Sequence, residues 1–176
     1  MKRQRPIALI LFAVALILAS VGAHAERGDD ADRASKNGLT TGTVDGVDIT
    51  IEYGRPNVNN RTIWGGLVPY DEVWRTGANE ATTIEFSSDV VIDGNSLPAG
   101  RYSLFTIPGE DEWTVIFNNQ ADQWGAFKYD AEQDALRITA TPSEIEHVET
   151  MEFLVDDSSV VLQWDNLALP IAIAAD

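Results

Sequence analysis

The sequence contains no cysteine and little histidine, and these shortages exclude several classes of site. Without cysteine among 176 residues, the chain can form no disulfide, thiol nucleophile or lipid-modified N-terminal cysteine. Two histidines are too few for a zinc site of the usual histidine and cysteine type. We therefore expect no metal and no cofactor.

A catalytic triad is also poorly supported, because His147 is the sole histidine after residue 25. It lies in a polar stretch between Glu146 and Glu149, and the chain has no Gly-x-Ser-x-Gly elbow. Carboxylates are so abundant that no pair of them stands out as a catalytic pair. The composition therefore favours a protein that is not an enzyme.

The N-terminal 25 residues have the pattern of a secretory signal peptide. Lys2, Arg3 and Arg5 precede an apolar run over residues 7–19, and small residues follow up to Ala25. The apolar run is shorter than the ~20 residues of a membrane-spanning helix. We expect cleavage near Ala25, a periplasmic or extracellular location, and no membrane attachment of the mature form.

The rest of the chain is strongly acidic. After residue 25, nine basic residues face 28 acidic ones, a net charge of −19. Such a field repels nucleic acid and anionic lipid, so both are poor partners. A small molecule remains a possible ligand, and the composition does not fix the oligomeric state.

Short strands with regular turns predict an all-β fold. Residues 26–38 are polar and aperiodic and predict a disordered lead-in, whereas residues 39–176 predict one domain. In residues 47–53 apolar and polar side chains alternate, which is typical of a strand with one buried face. Turn signals recur about every 8–12 residues, as in a single antiparallel β-sandwich of jelly-roll or immunoglobulin-like type, with a closed β-barrel as the alternative.

Individual turns and strands can also be assigned. Asp45-Gly46 and Asp93-Gly94 predict tight turns. Residues 142–149 are charged and predict a polar connection, and residues 167–174 predict a separate final strand. The Gly- and Pro-rich residues 54–70 contain embedded apolar side chains, which predicts a loop packed against the domain.

One short stretch carries most of the side chains that make directed hydrogen bonds. It runs Trp74-Arg75-Thr76-Gly77-Ala78-Asn79-Glu80, and we call it the motif. As a ligand site, Arg75 would clamp a carboxylate or planar polar group, Asn79 would add a donor and an acceptor, and Glu80 would orient the arginine or act as a base. As a structural knot, Arg75 would instead pair with Glu80, with Trp74 in the core.

Aromatic residues in two irregular loops extend the candidate site. Trp64 and Tyr70 come from the loop before the motif and Trp124 from a later one, where they either form a stacking platform or plug the core. The candidate ligand-binding residues are therefore Arg75, Thr76, Asn79, Glu80, Trp64, Tyr70 and Trp124.

Several stretches resemble one known family. They are Tyr53-Gly54-Arg55-Pro56, Gly65-Gly66-Leu67-Val68-Pro69-Tyr70, Val73 to Thr82 with the motif, Leu97-Pro98-Ala99-Gly100, Tyr102-Ser103-Leu104, Trp113 to Asn118 and Gln123-Trp124-Gly125. They are similar to the exported bacterial proteins grouped as domain of unknown function 2911. The resemblance implies one exported domain and brings no established activity or catalytic residue.

Three hypotheses for function follow. The first is an exported binding module whose pocket, between the motif and the Trp124 loop, takes a small polar or sugar-like ligand. The second is a hydrolase with Glu80 as general base and Arg75 as electrostatic stabiliser. The third is a structural or partner-binding domain without a small-molecule site.

Overall fold

The computed structural model describes residues 27–176, which are almost entirely β-structure with a single 3₁₀ turn at Ala131–Gln133. The predicted signal peptide lies outside the described residues. Within residues 27–176 no helix is long and apolar enough to cross a membrane. The strands are β1 Lys36–Val44, β2 Val47–Arg55, β3 Thr82–Phe86, β4 Val90–Ile92, β5 Asn95–Leu97, β6 Gly100–Ile107, β7 Trp113–Asn118, β8 Asp134–Ala140, β9 Ser143–Val155 and β10 Ser159–Ala175.

The strands form two antiparallel sheets, which confirms the predicted β-sandwich. One sheet has the order β1-β2-β3-β6-β7-β8, and the other has the order β5-β4-β10-β9. In the described residues neither sheet closes on itself, so the alternative of a closed barrel is wrong. Side chains from both sheets make the main hydrophobic core, as two packed sheets require. A second, smaller cluster contains Ala81, Phe105 and Ile116.

The alternation predicted for residues 47–53 is present in β2. Val47, Ile49, Ile51 and Tyr53 are all buried, with at most 3% of their surface exposed. The residues between them are exposed or half-buried, because successive side chains of a strand point to opposite faces. This strand therefore supplies one wall of the core and leads directly into the loop before the motif.

The two Asp-Gly turns are confirmed. Asp45 and Gly46 connect β1 to β2 with φ angles of 49° and 84°, and Asp93 and Gly94 connect β4 to β5 with φ angles of 49° and 73°. Positive φ at both central positions is the geometry that matches the twist of two paired strands. The dipeptides thus fix the register of both hairpins.

Three predicted boundaries differ from the structure. β1 begins at Lys36, three residues before the predicted start of the domain, because Lys36 pairs with Arg55 across β2. Of the predicted polar connection over residues 142–149, all but residue 142 belong to β9, an edge strand that keeps charged side chains in solvent. The predicted final strand is part of β10, which continues through a bulge at Asp165.

Candidate functional site

The motif is fixed to the six-stranded sheet at a point where two backbones nearly touch. The amide of Ala78 donates to the carbonyl of Gly54 at 3.3 Å. A Cβ atom at Gly54 would lie 2.1 Å from the carbonyl oxygen of Ala78, so only glycine permits this approach. The motif therefore packs on the end of β2 and cannot move as a free loop.

Thr76 lies at the centre of this attachment. Its side chain is buried and its hydroxyl donates to the hydroxyl of Thr106 at 3.2 Å, while its carbonyl accepts from the hydroxyl of Thr82 at 2.7 Å. Trp74 exchanges backbone hydrogen bonds with Thr106 on the adjacent β6. The Thr76 hydroxyl is thus part of the framework, and Thr76 lines neither of the two cavities beside the motif.

A cluster of tryptophan side chains packs around Trp74 of the motif. The Trp74 ring stacks on Trp164 with centroids 5.9 Å apart, and Trp64 packs edge-on against Trp74, Trp113 and Trp164. Trp113 and Trp164 are each 1% exposed. Trp64 therefore contributes to the core and does not join Trp124 in a stacking platform.

The backbone turns twice between the two charged residues of the motif. Thr76 has a φ of 50° and Asn79 a φ of 64°, values that non-glycine residues adopt infrequently. As a result Arg75 and Glu80 line two different cavities. The predicted pairing of Arg75 with Glu80 is wrong.

Glu80 is instead held by the N-terminal arm, residues 27–35. Arg33 donates to both carboxylate oxygens at 2.6 Å, and the backbone amide of Gly28 donates at 3.3 Å. Nη1 of Arg27 lies 3.6 Å from the same carboxylate. The hydrogen bonds from Arg33 are the main reason that the pKa of Glu80 falls to about 2.

This arrangement bears on catalysis by Glu80. A carboxylate with a pKa of about 2 and two arginines beside it is ionised at neutral pH but has little affinity for a substrate proton. A general base needs a pKa near the working pH, and burial that raises the pKa would be the signature. The geometry therefore counts against the hydrolase hypothesis.

The depressed pKa predicts a pH dependence of stability. Because the folded pKa of Glu80 is about 2 and the unfolded value is near 4.3, its contribution is complete above about pH 5 and is lost as pH falls towards 2. We expect Glu80→Gln to destabilise the protein by about 1–2 kcal/mol at pH 6, allowing for solvent screening, and by much less at pH 2.5. Urea unfolding of both proteins at the two pH values measures this, and a gap that stays constant with pH would contradict it.

Arg75 is the charged residue of the motif that has no hydrogen-bonding or ion-pair partner for its side chain among residues 27–176. Its guanidinium is half-buried, its Nε is buried without a hydrogen-bond acceptor, and no carboxylate of residues 27–176 forms a salt bridge with it. Burial lowers the pKa of Arg75, and no neighbouring charge offsets this. An unpaired buried charge is costly, and such groups concentrate where a ligand supplies the counter-charge.

Arg75 lines a cavity of about 270 Å³, the Arg75 cavity. Among the described residues that line it there are two arginines, Arg75 and Arg61, and no acid, although the chain carries a net charge of −16. Arg61 already donates to the carbonyls of Val58 and Asn57. The remaining walls are mainly apolar or amide groups, including Trp74, Trp164, Leu67, Val68 and Asn79.

Asn79 connects this cavity to the N-terminal arm. Its side-chain amide donates to the carbonyl of Ser35 at 3.0 Å, and both residues line the Arg75 cavity. The backbone carbonyl of Asn79 accepts a hydrogen bond from the backbone amide of Gly125 at 3.1 Å. Asn79 therefore joins the arm, the motif and the Trp124 loop, residues 119–130.

The second cavity lies between the motif and the Trp124 loop, where the sequence predicted the pocket. We call it the Trp124 cavity; its volume is about 220 Å³, and Glu80 and Trp124 are among its lining residues. The two loops meet through a backbone bridge between Glu80 and Trp124 and a hydrogen bond from Ala81 to Gln123. Trp124 keeps 56% of its surface exposed.

Tyr70 is not one of the described residues that line either cavity. It is half-buried, and its ring covers Gly65 in the loop before the motif. Of the predicted site residues, the structure thus places Arg75 and Asn79 at one cavity and Glu80 and Trp124 at the other, while Thr76, Trp64 and Tyr70 support the framework.

Sequence reasoning missed the arm residues Arg27 and Arg33, because residues 26–38 look like a disordered lead-in. It also missed Arg101 and Gln123, which line the Trp124 cavity. One available signal was the small number of basic residues after residue 25, nine against 28 acidic ones. Each arginine was therefore a candidate for a specific role. No sequence pattern links Arg33 to Glu80, 47 positions away.

A comparison with protein families identifies the chain. The family model described as "Protein of unknown function (DUF2911)" matches residues 35–173. The chain belongs to this family. The matched span includes the motif and the Trp124 loop, whereas residues 27–34 of the arm lie before it. No curated protein and no solved structure matches the chain.

Proposed function

We propose that this protein is a binding module for a small polar ligand that carries a carboxylate, such as a sugar acid, held in the Arg75 cavity. The proposal is carried by one observation, the half-buried guanidinium of Arg75 without a partner in the described residues. Arginine binds a carboxylate through two parallel hydrogen bonds. A bound carboxylate would therefore supply the counter-charge that Arg75 lacks.

The shape of the Arg75 cavity supports a small ligand with a flat or apolar body. Indole walls from Trp74 and Trp164 suit the apolar face of a ring. Asn79 and Arg61 add polar groups at the edge. This combination of mostly apolar walls and a few polar groups is typical of small-molecule sites.

The structural hypothesis fits these contacts less well. A knot without a ligand requires Arg75, Asn79 and Glu80 to be buried and to satisfy one another. Asn79 and Glu80 do have partners, but these come from the arm, and Arg75 has none in residues 27–176. Arg75 lines a cavity, so a ligand there would lie next to its unpaired charge.

Binding and stability are expected to respond to Arg75 in opposite directions. Arg75→Met should raise the free energy of unfolding by about 1 kcal/mol without ligand, a modest gain because the side chain is half exposed. The same change should weaken binding of a carboxylate by about thirtyfold or more, since it removes a charged hydrogen-bonding partner.

A thermal-shift screen of sugars, sugar acids, amino acids and other small acids identifies the ligand, and calorimetry measures the affinity in each variant. Arg75→Lys tests whether the paired hydrogen bonds matter beyond charge. Arg137→Ala is the charge-matched control, because Arg137 pairs with Asp134 and does not line the Arg75 cavity. The proposal fails if no carboxylate-bearing compound raises the melting temperature, or if carboxylate binding survives Arg75→Ala in a folded protein.

A further inference from the structure

The Trp124 cavity contains unpaired polar atoms of its own. Arg27 is 8% exposed, and its Nη2 donates to the carbonyls of Glu52 and Ala81. Its Nε and Nη1 are buried and have no hydrogen-bond acceptor within residues 27–176. The side-chain oxygen of Gln123 is likewise buried without a donor. Buried polar groups in folded proteins are nearly always hydrogen-bonded, so these atoms indicate a missing partner.

The charges around this cavity are already balanced. Arg101 pairs with Glu52 and Asp122, and Glu80 pairs with Arg33. Nη1 of Arg27 also lies 3.6 Å from Glu80. A ligand here therefore meets no excess charge of either sign, in contrast to the Arg75 cavity.

The unpaired atoms require a partner that both accepts and donates. Arg27 offers donors and the Gln123 oxygen is an acceptor, and a hydroxyl group can serve each of them. Trp124 adds a large exposed aromatic surface at the rim. Polar groups on the floor and an indole at the edge form a combination that suits a ring with several hydroxyls and an apolar face.

We propose that the Trp124 cavity is a second binding site, which takes a neutral sugar ring. Arg27 donates to ring hydroxyls, Gln123 accepts from one, and Trp124 packs against the apolar face of the ring. The site uses none of the side chains of the Arg75 cavity. Evidence for or against sugar binding here therefore does not decide the proposed function of the Arg75 cavity.

The test is binding of glucose, galactose, mannose and N-acetylglucosamine, with glucuronate and glucosamine as charged analogues. Saturation-transfer NMR detects contact, and tryptophan fluorescence gives Kd. In Arg75→Met, which removes the proposed acid-binding site, we expect at least one neutral sugar to bind more tightly than its charged analogue. Trp124→Ala should raise its Kd about tenfold, because an aromatic contact contributes on this scale, and Arg27→Met should also weaken it.

The controls separate this site from its surroundings. Phe127→Ala changes an exposed aromatic of the same loop that does not line the cavity, and Arg75→Met changes the other cavity; neither should alter Kd. Trp124→Phe keeps an aromatic face and should retain most of the binding. The proposal is overturned if none of the neutral sugars binds, or if Trp124→Ala and Arg27→Met leave Kd unchanged.

Discussion

Replacing Gly54 by alanine is expected to destabilise the protein by at least ~3 kcal/mol, the largest effect of any single methyl group that we foresee. The added Cβ would lie 2.1 Å from the carbonyl oxygen of Ala78 and 2.7 Å from its carbonyl carbon. Backbone atoms cannot rotate away as a side chain could, so either β2 or the motif must move. Overpacking costs 1–3 kcal/mol where side chains can adjust and more where they cannot.

The measurement is urea or thermal unfolding of Gly54→Ala beside a matched glycine variant. Gly94→Ala is the control, because a Cβ there meets nothing, although its φ of 73° still costs about 1 kcal/mol. We expect the Gly54 variant to melt well below the control and to lose carboxylate binding together with the position of Arg75. Equal destabilisation by the two substitutions would show that the motif does not need this close approach.

Glu80→Ala is expected to destabilise the protein by about 3 kcal/mol and to release the N-terminal arm. The substitution leaves Arg33 without the carboxylate it grips at 2.6 Å and leaves Arg27, 8% exposed, without its nearest counter-charge. Removing one partner of a buried pair costs 3–5 kcal/mol, and we take the lower end because Glu80 itself is 24% exposed.

Release of the arm can be measured apart from global stability. Trypsin should cleave after Arg33 much faster in Glu80→Ala than in wild type, and amide exchange should rise in residues 27–35 first. Glu146→Ala removes an equally charged but exposed residue and should change neither. A double-mutant cycle with Arg33→Ala isolates the pair, and an interaction energy near zero would contradict its role.

Local chemistry made the scaffold predictable. The Asp-Gly turns could be located because few residues tolerate positive φ at two successive positions, and the alternation of β2 follows from one buried face. The charged residues 142–149 were misassigned for a physical reason as well. Residues 143–149 form the first part of edge strand β9, where both faces can be polar and the period of two is lost.

The site was predictable only in its residue types. A cavity does lie between the motif and the Trp124 loop, and Trp124 does lie beside Glu80, as the two loops suggested. The second cavity, beside Arg75, was not predicted. The directions of the Arg75 and Glu80 side chains depend on positive φ at Thr76 and Asn79. Residue type alone does not predict a positive φ at these two positions. The partner of Glu80 comes from 47 positions earlier, and no local pattern contains that information.

The position of β10 at the end of the chain's strand order determines when the four-stranded sheet can form. It pairs with β9 through residues 160–168 and with β4 through residues 173–175, so it is the strand that joins the two halves of the four-stranded sheet. It also follows every strand that it joins in the chain. During synthesis, the edge of β4 that pairs with β10 therefore stays unpaired until residues 159–175 leave the ribosome. In this interval the unpaired edge is exposed to aggregation and to chaperone binding.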